Sequence, residues 1–219
     1  MKHLFLLPLL LSLSAAAAPP PDVKVIADAV DRRYNNLHSL RAEFTEIYRG
    51  AGLDRTESGT LWLKRPGKMR WEYRQPRPKL FIADGKEAWF YVPGERQARK
   101  APLKKVDDLR SPLRYLLGKA KLAKEFDDLA LATDVTPLAS ANLMLRGVPR
   151  AMADRVAFVL LEITPESRIA RLLIEEVDGS TTEFRFADTA ENVAVSDDHF
   201  RLSLPPDVEV VESAEQSVP

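Results

Sequence analysis

The side chains that most often carry chemistry are few in this chain and stand far apart. Its 219 residues contain three histidines, His3, His38 and His199, and no cysteine. No paired-histidine metalloprotease spacing, serine nucleophile elbow or glycine-rich phosphate loop occurs. The Cys-containing zinc sites are excluded as well. We therefore expect no enzyme activity, no metal ion and no cofactor.

Three pairs of adjacent carboxylates are the other candidates for acid-base or metal chemistry. They are Asp107-Asp108, Asp127-Asp128 and Asp197-Asp198. Neighbouring residues of a strand point to opposite faces, and adjacent acids in a loop are usually solvated. Neither arrangement brings two carboxylates onto one substrate, so we expect no catalytic or metal role for them.

Aromatic residues cluster twice, at Trp71-Glu72-Tyr73 and at Trp89-Phe90-Tyr91, with basic residues between the clusters. Stacking aromatics among cations can form a platform for single-stranded nucleic acid. Aromatics at alternating positions are also what a strand presents to a hydrophobic core. Export, argued next, favours the core interpretation and predicts no nucleic-acid partner.

The N-terminus has the order of a secretory signal peptide. Lys2 and His3 precede an apolar run over residues 4–13, and small residues follow at 14–18. The run is about half of the ~20 residues that a membrane span needs. We predict a signal peptide over residues 1–17, a Pro-rich linker over 18–21 and an exported chain with no lipid anchor of its own, since no cysteine follows the cleavage site.

Charge is unevenly distributed along the chain. Basic residues outnumber acidic ones over 54–121, and acidic residues outnumber basic ones over 124–219. A basic segment can meet an acidic partner or a membrane surface. Two such halves can equally neutralise each other across one sheet, and the sequence leaves both interpretations open.

The periodicity of apolar residues changes once, from helical to extended. Asp22 stands at an N-cap position before Val23, Ile26, Val30 and Tyr34, whose spacing predicts an amphipathic helix. From Leu40 onward the period is two, which predicts a chain of about ten strands. The predicted strands begin at Leu40 and continue over 58–64, 69–74, 80–83, 87–92, 129–133, 143–146, 158–164, 171–176, 181–186 and 200–204, with 208–211 as an extension of the last.

A helical insertion interrupts the strands. Ser111-Pro112 predicts an N-cap and first helical turn, Gly118 a stop, and a second short helix follows over 119–126. The domain prediction is one unit over 22–211 with a flexible tail over 212–219. A sheet of this length tends to curl or close, and inserted helices can cover its open face.

The segment 58–66, Ser-Gly-Thr-Leu-Trp-Leu-Lys-Arg-Pro, resembles a strand of the periplasmic outer-membrane lipoprotein carrier (LolA) family, whose pattern is G-x-L-W-[VL]-K-R-P. Further blocks match in the expected order, from about 37 to 210. They are residues 40–46, 69–71, 80–85, 89–93, 111–117 and 200–208. Departures from the family pattern are Glu46 in place of a common glutamine, Met69 where an aromatic is frequent, and a longer segment over 137–157.

The resemblance implies a mainly β fold with helices. The family fold is an incomplete, half-open antiparallel β-barrel, covered by an N-terminal helix and a central helical lid and enclosing an apolar cavity. It also implies a periplasmic monomer that binds acylated lipoproteins. Such a carrier receives them from an ATP-driven transporter in the inner membrane and delivers them to a receptor at the outer membrane.

Site residues follow partly from alternation and partly from the resemblance. Leu61, Leu63 and Arg65 share one face of their strand. The family's arginine at the position of Arg65 bonds to the helical lid, so the resemblance assigns Arg65 as the lid gate. The acyl cavity and its mouth are expected to be formed by Leu61, Leu63, Arg65, Met69, Trp71, Trp89, Tyr91, Leu113 and Leu116.

Two other functions remain open at this point. Lipid-sensing periplasmic regulators share the fold, although they usually carry an additional C-terminal domain. An enzyme is a third possibility, for which the sequence offers no nucleophile and no acid-base pair. Lipid copurifying with the protein distinguishes the first two, because a carrier binds triacylated lipoprotein and a sensor binds free lipid.

Overall fold

The computed structural model describes residues 21–103 and 121–212. The predicted signal peptide, the first of the two predicted central helices with Leu113 and Leu116, and the chain beyond Glu212 lie outside the described residues. Among those described, no helix is both long enough and apolar enough to cross a membrane.

Helix α1 (Val23–Asn36) is the predicted N-terminal helix. Asp22 caps it by accepting a hydrogen bond from the backbone N–H of Lys24. The apolar stripe predicted from the spacing is the buried side of the helix, with Ala27, Val30 and Tyr34 almost fully covered. The helix therefore lies against the core rather than in solvent.

Twelve strands form one sheet in the described residues. They are β1 (Ser39–Gly50), β2 (Leu53–Lys64), β3 (Lys68–Gln75), β4 (Lys79–Asp84), β5 (Glu87–Tyr91), β6 (Gln97–Pro102), β7 (Phe126–Leu131), β8 (Leu143–Pro149), β9 (Val156–Ile163), β10 (Ile169–Glu176), β11 (Thr181–Glu191) and β12 (Glu209–Glu212). The short helix α2 (Leu122–Glu125) immediately precedes β7, and 3-10 turns occur at Arg150–Met152 and Asp197–Phe200.

The sheet is open and has the order β12-β6-β5-β4-β3-β2-β1-β11-β10-β9-β8-β7. Neighbouring strands of the sheet are antiparallel except for the parallel pair of β12 with β6, and the long pairing of β1 with β11 joins the two halves. A mainly β protein with an unclosed sheet is the predicted fold. We call the face against which α1 packs the inner face; it carries Leu40, Phe44, Leu61, Trp71 and Phe184, among others.

The last strand departs from the prediction in position and direction. Residues 201–204 do not form a strand, because the chain leaves a 3-10 turn at Phe200. The ring of Phe200 packs beside His199 on the side of the sheet opposite α1, which we call the outer face. The chain then reaches β12, which pairs parallel with β6. Strand β6 was not predicted, since Gln-Ala-Arg-Lys-Ala-Pro has little β propensity.

The segment between β11 and β12 crosses the outer face. Lys64 donates to the carbonyl of Val195, and both Lys64 and Lys68 pair with Asp197, at 2.7 and 2.5 Å. The ring of His199 packs against Trp62. We call residues 192–208 the outer strap, because these contacts fasten it across β2 and β3.

The loop between β7 and β8 covers the outer face of the other half. Its anchor is Glu162 on β9, which is fully buried. The carboxylate accepts from the backbone N–H of Leu138 at 2.7 Å and pairs with the guanidinium of Arg171 at 2.8 Å. The segment 137–157 thus forms the end of this covering loop, strand β8, the following 3-10 turn and the start of β9.

Candidate functional site

Four of the predicted site residues come together on the inner face. Leu63 pairs with Met69, and Leu61 pairs with Trp71, across β2 and β3. Residues directly opposite each other in an antiparallel pair share a face. Leu61, Leu63 and Trp71 are buried, and Met69 is half-buried and packs against the same core. The alternation of the K-R-P strand was therefore interpreted correctly.

An aromatic cluster extends this apolar row across the junction of the two halves. The ring of Trp71 lies 4.6 Å from that of Phe44 on β1 and 5.7 Å from that of Phe184 on β11, edge to face in both cases. Phe186 stacks beside Phe184. These phenylalanines were not among the predicted site residues; their alternation within the predicted strands was the available signal.

Trp89 and Tyr91 do not belong to this row. The register pairs Trp89 with Ile82 and Tyr91 with Leu80, so both lie on the outer face. Phe90 is the β5 residue that continues the inner-face position of Phe81. Both were predicted to face the same surface as Leu61 and Leu63, and the register contradicts that placement. The parity of β5 is set by the turn at Asp84-Gly85 and cannot be read from β2.

Arg65 follows β2 and binds the C-terminal end of α1. Its Nη1 donates to the carbonyl of Asn35 and its Nη2 to the carbonyl of Tyr34, both at 2.7 Å. The last carbonyls of a helix have no partner within the helix and carry the negative end of its dipole. The guanidinium supplies them with both hydrogen-bond donors and a positive charge. A small pocket lies beside this contact, lined by residues that include Leu37, Leu40 and Leu63.

Helix α1 is also tied to the other half of the sheet. The Tyr34 hydroxyl accepts from the backbone N–H of Ile169 at the start of β10. Arg33 pairs with Glu191 at the end of β11 at 2.6 Å. Burial raises the pKa of Tyr34 to about 12, so its hydroxyl stays neutral at this contact. The helix thus bridges the β2 side and the β10–β11 side.

A third contact joins α1 to the short helix α2. The carboxylate of Asp31 accepts from the backbone N–H of Leu122, the first residue of α2, at 3.2 Å. Burial is the main cause that raises the pKa of Asp31. Asp31 therefore serves as an N-cap for α2 supplied from another helix.

The inner face changes character at the end of β2 that is remote from Arg65. Glu57 there accepts from the ammonium of Lys79 at 2.7 Å, and Glu46 accepts from the hydroxyl of Tyr73 at 2.7 Å. Arg55 lies 3.2 Å from Glu57. Burial raises the pKa of Glu46 and is also the main cause that raises the pKa of Tyr73. We call these five residues the distal polar cluster.

No group of three or more histidine, cysteine, aspartate or glutamate side chains is arranged to hold a metal ion within 21–103 and 121–212. What the site offers is an apolar row beneath a helix, with one arginine at the helix end. Such an arrangement can shelter apolar material and release it when the helix moves.

Comparison with known proteins finds close agreement with one family. The model of the family "Outer membrane lipoprotein carrier protein LolA" matches residues 35–203. The outer-membrane lipoprotein carrier protein of Nitrosospira multiformis is 27% identical over 80% of this chain and 83% of its own. That of Dechloromonas aromatica is 29% identical over 84% of this chain and 88% of its own.

Solved structures agree on the fold. An uncharacterized conserved protein from Thermus thermophilus superposes with a TM-score of 0.56 at 15% identity, over 87% of this chain and 98% of its own. The Mycobacterium tuberculosis lipoprotein LppX gives 0.50 at 12% identity, over 81% and 99%. At such identities they show the fold alone. The family model spans most of the chain, and the chain accordingly belongs to the LolA family of outer membrane lipoprotein carrier proteins.

Proposed function

We propose that this protein is a periplasmic carrier that shelters the acyl chains of lipoproteins between α1 and the inner face of its sheet. The observation that carries the proposal is the contact of Arg65 with the Tyr34 and Asn35 carbonyls, at one end of the row of Leu61, Leu63 and Trp71. The apolar row supplies the shelter, and the arginine controls access to it.

The energetics favour a sheltering role. An acyl chain in water costs about 0.8 kcal/mol for each exposed methylene, so a membrane-length chain costs on the order of 10 kcal/mol. The inner face is covered in this structure by Val30, Tyr34 and Leu37, apolar residues of α1 and its C-cap. A bound chain replaces those apolar contacts with its own, so the exchange loses little hydrophobic energy.

Arg65 then sets the balance between closed and open states. A hydrogen bond to a charged group contributes about 1.5–3 kcal/mol. The free energy of two such bonds is smaller than that of burying an acyl chain. It is large enough to shift an equilibrium between open and closed states by tenfold or more. Cargo entry breaks the two bonds, and re-forming them on delivery helps to expel the chain. The bound state is thereby kept releasable.

The expected partners follow from this role. Triacylated lipoproteins are the cargo, an ATP-driven transporter of the inner membrane supplies them, and a receptor at the outer membrane accepts them. The names of the relatives support lipoprotein carriage in general. The transporter, the receptor and a monomeric state belong to the proposal.

The test is transfer of a preloaded lipoprotein to outer-membrane vesicles. Arg65→Leu should fold and load normally but deliver more slowly, and Arg65→Lys should recover only part of the rate, since lysine lacks the planar fork of donors. Arg70→Leu is the matched control, because Arg70 lies on β3 and donates to His199 on the outer strap instead of to α1.

Equal delivery by Arg65→Leu and wild type would contradict the gate. Loading itself is tested by Leu61→Asp, which places a charge in the apolar row, with circular dichroism to check folding. A folded Leu61→Asp protein that loads normally would contradict binding at the inner face. Mass spectrometry of the copurified ligand completes the test: free lipid in place of triacylated lipoprotein would favour a lipid-sensing role.

A further inference from the structure

The apolar row of the inner face has a charged end. On β2 the alternate positions Leu63, Leu61 and Gly59 lead away from Arg65, and the next inner-face position is Glu57. Glu57 lies directly opposite Glu46 of the neighbouring strand β1. The distal polar cluster thus lies in line with the row, at its end opposite the gate.

Four of the five residues of this cluster are buried, Arg55 is partly exposed, and the charges are matched internally. The side chains of Glu46, Glu57 and Lys79 are 2%, 7% and 10% exposed. Lys79 bonds to Glu57, its ammonium lies over the ring of Tyr73 at 4.2 Å, and Tyr73 donates to Glu46. Arg55 supplies the second cation, 3.8 Å from Glu46.

Stability does not explain such a cluster. Two carboxylates directly opposite each other on neighbouring strands repel. A buried ion pair contributes no more than well-packed apolar residues of similar volume, and often contributes less. Continuing the row of Leu61 and Leu63 with further apolar residues would therefore stabilise the sheet at least as well. The charges must serve something other than packing.

The distance from the gate to the cluster has the scale of one acyl chain. Leu63 and Glu57 are six positions apart along β2, which is about 20 Å of strand. One leaflet of a bilayer, half of the ~30 Å hydrocarbon thickness, is about 15 Å deep. A chain of membrane length fits within the row, and a longer one meets buried charge.

We propose that the distal polar cluster is the end wall of the acyl-binding surface and sets the longest acyl chain that the carrier shelters completely. This inference rests on the proposed function, since it assumes that chains lie along the inner face. Methylenes beyond the wall gain nothing, because they would have to displace matched, hydrogen-bonded charges. The selected ligands are acyl chains no longer than those of membrane lipids.

The experiment measures binding against chain length. Saturated fatty acids from lauric to behenic acid displace a dansyl-labelled fatty acid from the full mature protein. With wild type, affinity should rise about fourfold for each buried methylene and then level off at the length that reaches the wall. In the double variant Glu57→Leu/Lys79→Met, which removes both partners of the pair, the plateau should move to longer chains.

A matched control on the outer face is Glu43→Leu/Arg74→Leu. These residues form an ion pair between β1 and β3, the strands that also carry Glu46 and Tyr73, on the side away from the row. The affinity of this control variant should level off at the same chain length as that of wild type. An unchanged plateau in Glu57→Leu/Lys79→Met would overturn the end wall, whereas failure of wild type to bind any fatty acid would contradict the proposed function instead.

A second measurement needs no variant and covers the case in which Glu57→Leu/Lys79→Met does not fold. A terminal hydroxyl buried among apolar groups without a partner weakens binding by more than about fivefold. A fatty acid that just reaches the wall places its terminal hydroxyl next to acceptors of the cluster. Adding an ω-hydroxyl group to that fatty acid should therefore weaken its affinity much less than adding one to a shorter fatty acid. The same cost at all lengths would overturn the proposal.

Discussion

The hydroxyl of Tyr34 accepts a hydrogen bond from the backbone N–H of Ile169 at 2.9 Å. The carbonyl of the same tyrosine accepts from Arg65, on the other half of the sheet. One residue of α1 is therefore bonded to both sides of the inner face. Any movement of α1 that opens this face must release at least one of these two bonds.

Tyr34→Phe should weaken the β10 side of this bridge. The change leaves the buried N–H of Ile169 without its partner, which costs about 1–3 kcal/mol of unfolding free energy. Urea unfolding measures the loss, and faster hydrogen exchange at Ile169 locates it. Tyr48→Phe is the control, since the Tyr48 hydroxyl makes no hydrogen bond within the described residues. Equal exchange at Ile169 in both variants would show that the tether contributes nothing.

Acyl binding at the inner face should quench one tryptophan of the three. Trp71 lies on the inner face, whereas Trp62 and Trp89 lie on the outer face. Bromine quenches indole fluorescence at short range, so brominated stearic acid should quench Trp62→Phe/Trp89→Phe strongly and Trp71→Phe weakly. Fluorescence titration measures both. Stronger quenching in Trp71→Phe would place the chain on the wrong face for this proposal.

Glu46→Gln should stabilise the protein near neutral pH. Burial raises the pKa of Glu46 above its ordinary 4.5, so the native state binds the proton more tightly than the unfolded state does. The resulting stability is present below pH 4.5 and is lost as the pH rises through the native pKa. Glutamine keeps an acceptor for Tyr73 without the charge.

The expected gain is roughly 1 kcal/mol near neutral pH and close to zero below the ordinary pKa of the carboxyl. Unfolding by urea at both conditions measures it. A gain that grows as the pH falls would contradict this account of Glu46, because the sign of the linkage would be reversed.

The outer strap should matter for stability and not for cargo. Phe200 is fully buried on the outer face, so Phe200→Ala should cost about 3–5 kcal/mol of unfolding free energy. At a temperature where the variant remains folded, its affinity for fatty acids should match that of wild type. A selective loss of binding, with stability intact, would tie the strap to the site.

The fold was predictable where local patterns and turn chemistry agree. The N-cap Asp22, the Asp84-Gly85 turn and the alternation around Leu61 each marked an element that the structure contains. The strand predicted over 200–204 was wrong because an alternating Phe-x-Leu-x-Leu pattern also suits a segment that anchors one ring on a sheet. Only tertiary context distinguishes these two cases.

The site was predictable within one strand and less so between strands. Alternation placed Leu61 and Leu63 on one face, as observed, because parity holds along a continuous strand. Arg65 was assigned to the same face, but it follows the last residue of β2 and is positioned by its bonds to α1. Alternation failed for Trp89 and Tyr91, since each turn resets parity through its own register. The distal polar cluster was not predicted at all: its members come from β1, β2, β3 and β4, and only pairing brings them together.

The pairing of β1 with β11 has a consequence for how the chain reaches its native state. Arg49 meets Thr181, so the two halves of the sheet are joined by residues more than half the chain apart. Contacts of such sequence separation slow folding, because a long loop must close before they form. The N-terminal hairpin can form early but keeps one long edge unpaired until residues 181–191 arrive. For the exported carrier that we propose, this delay favours crossing of the membrane before folding.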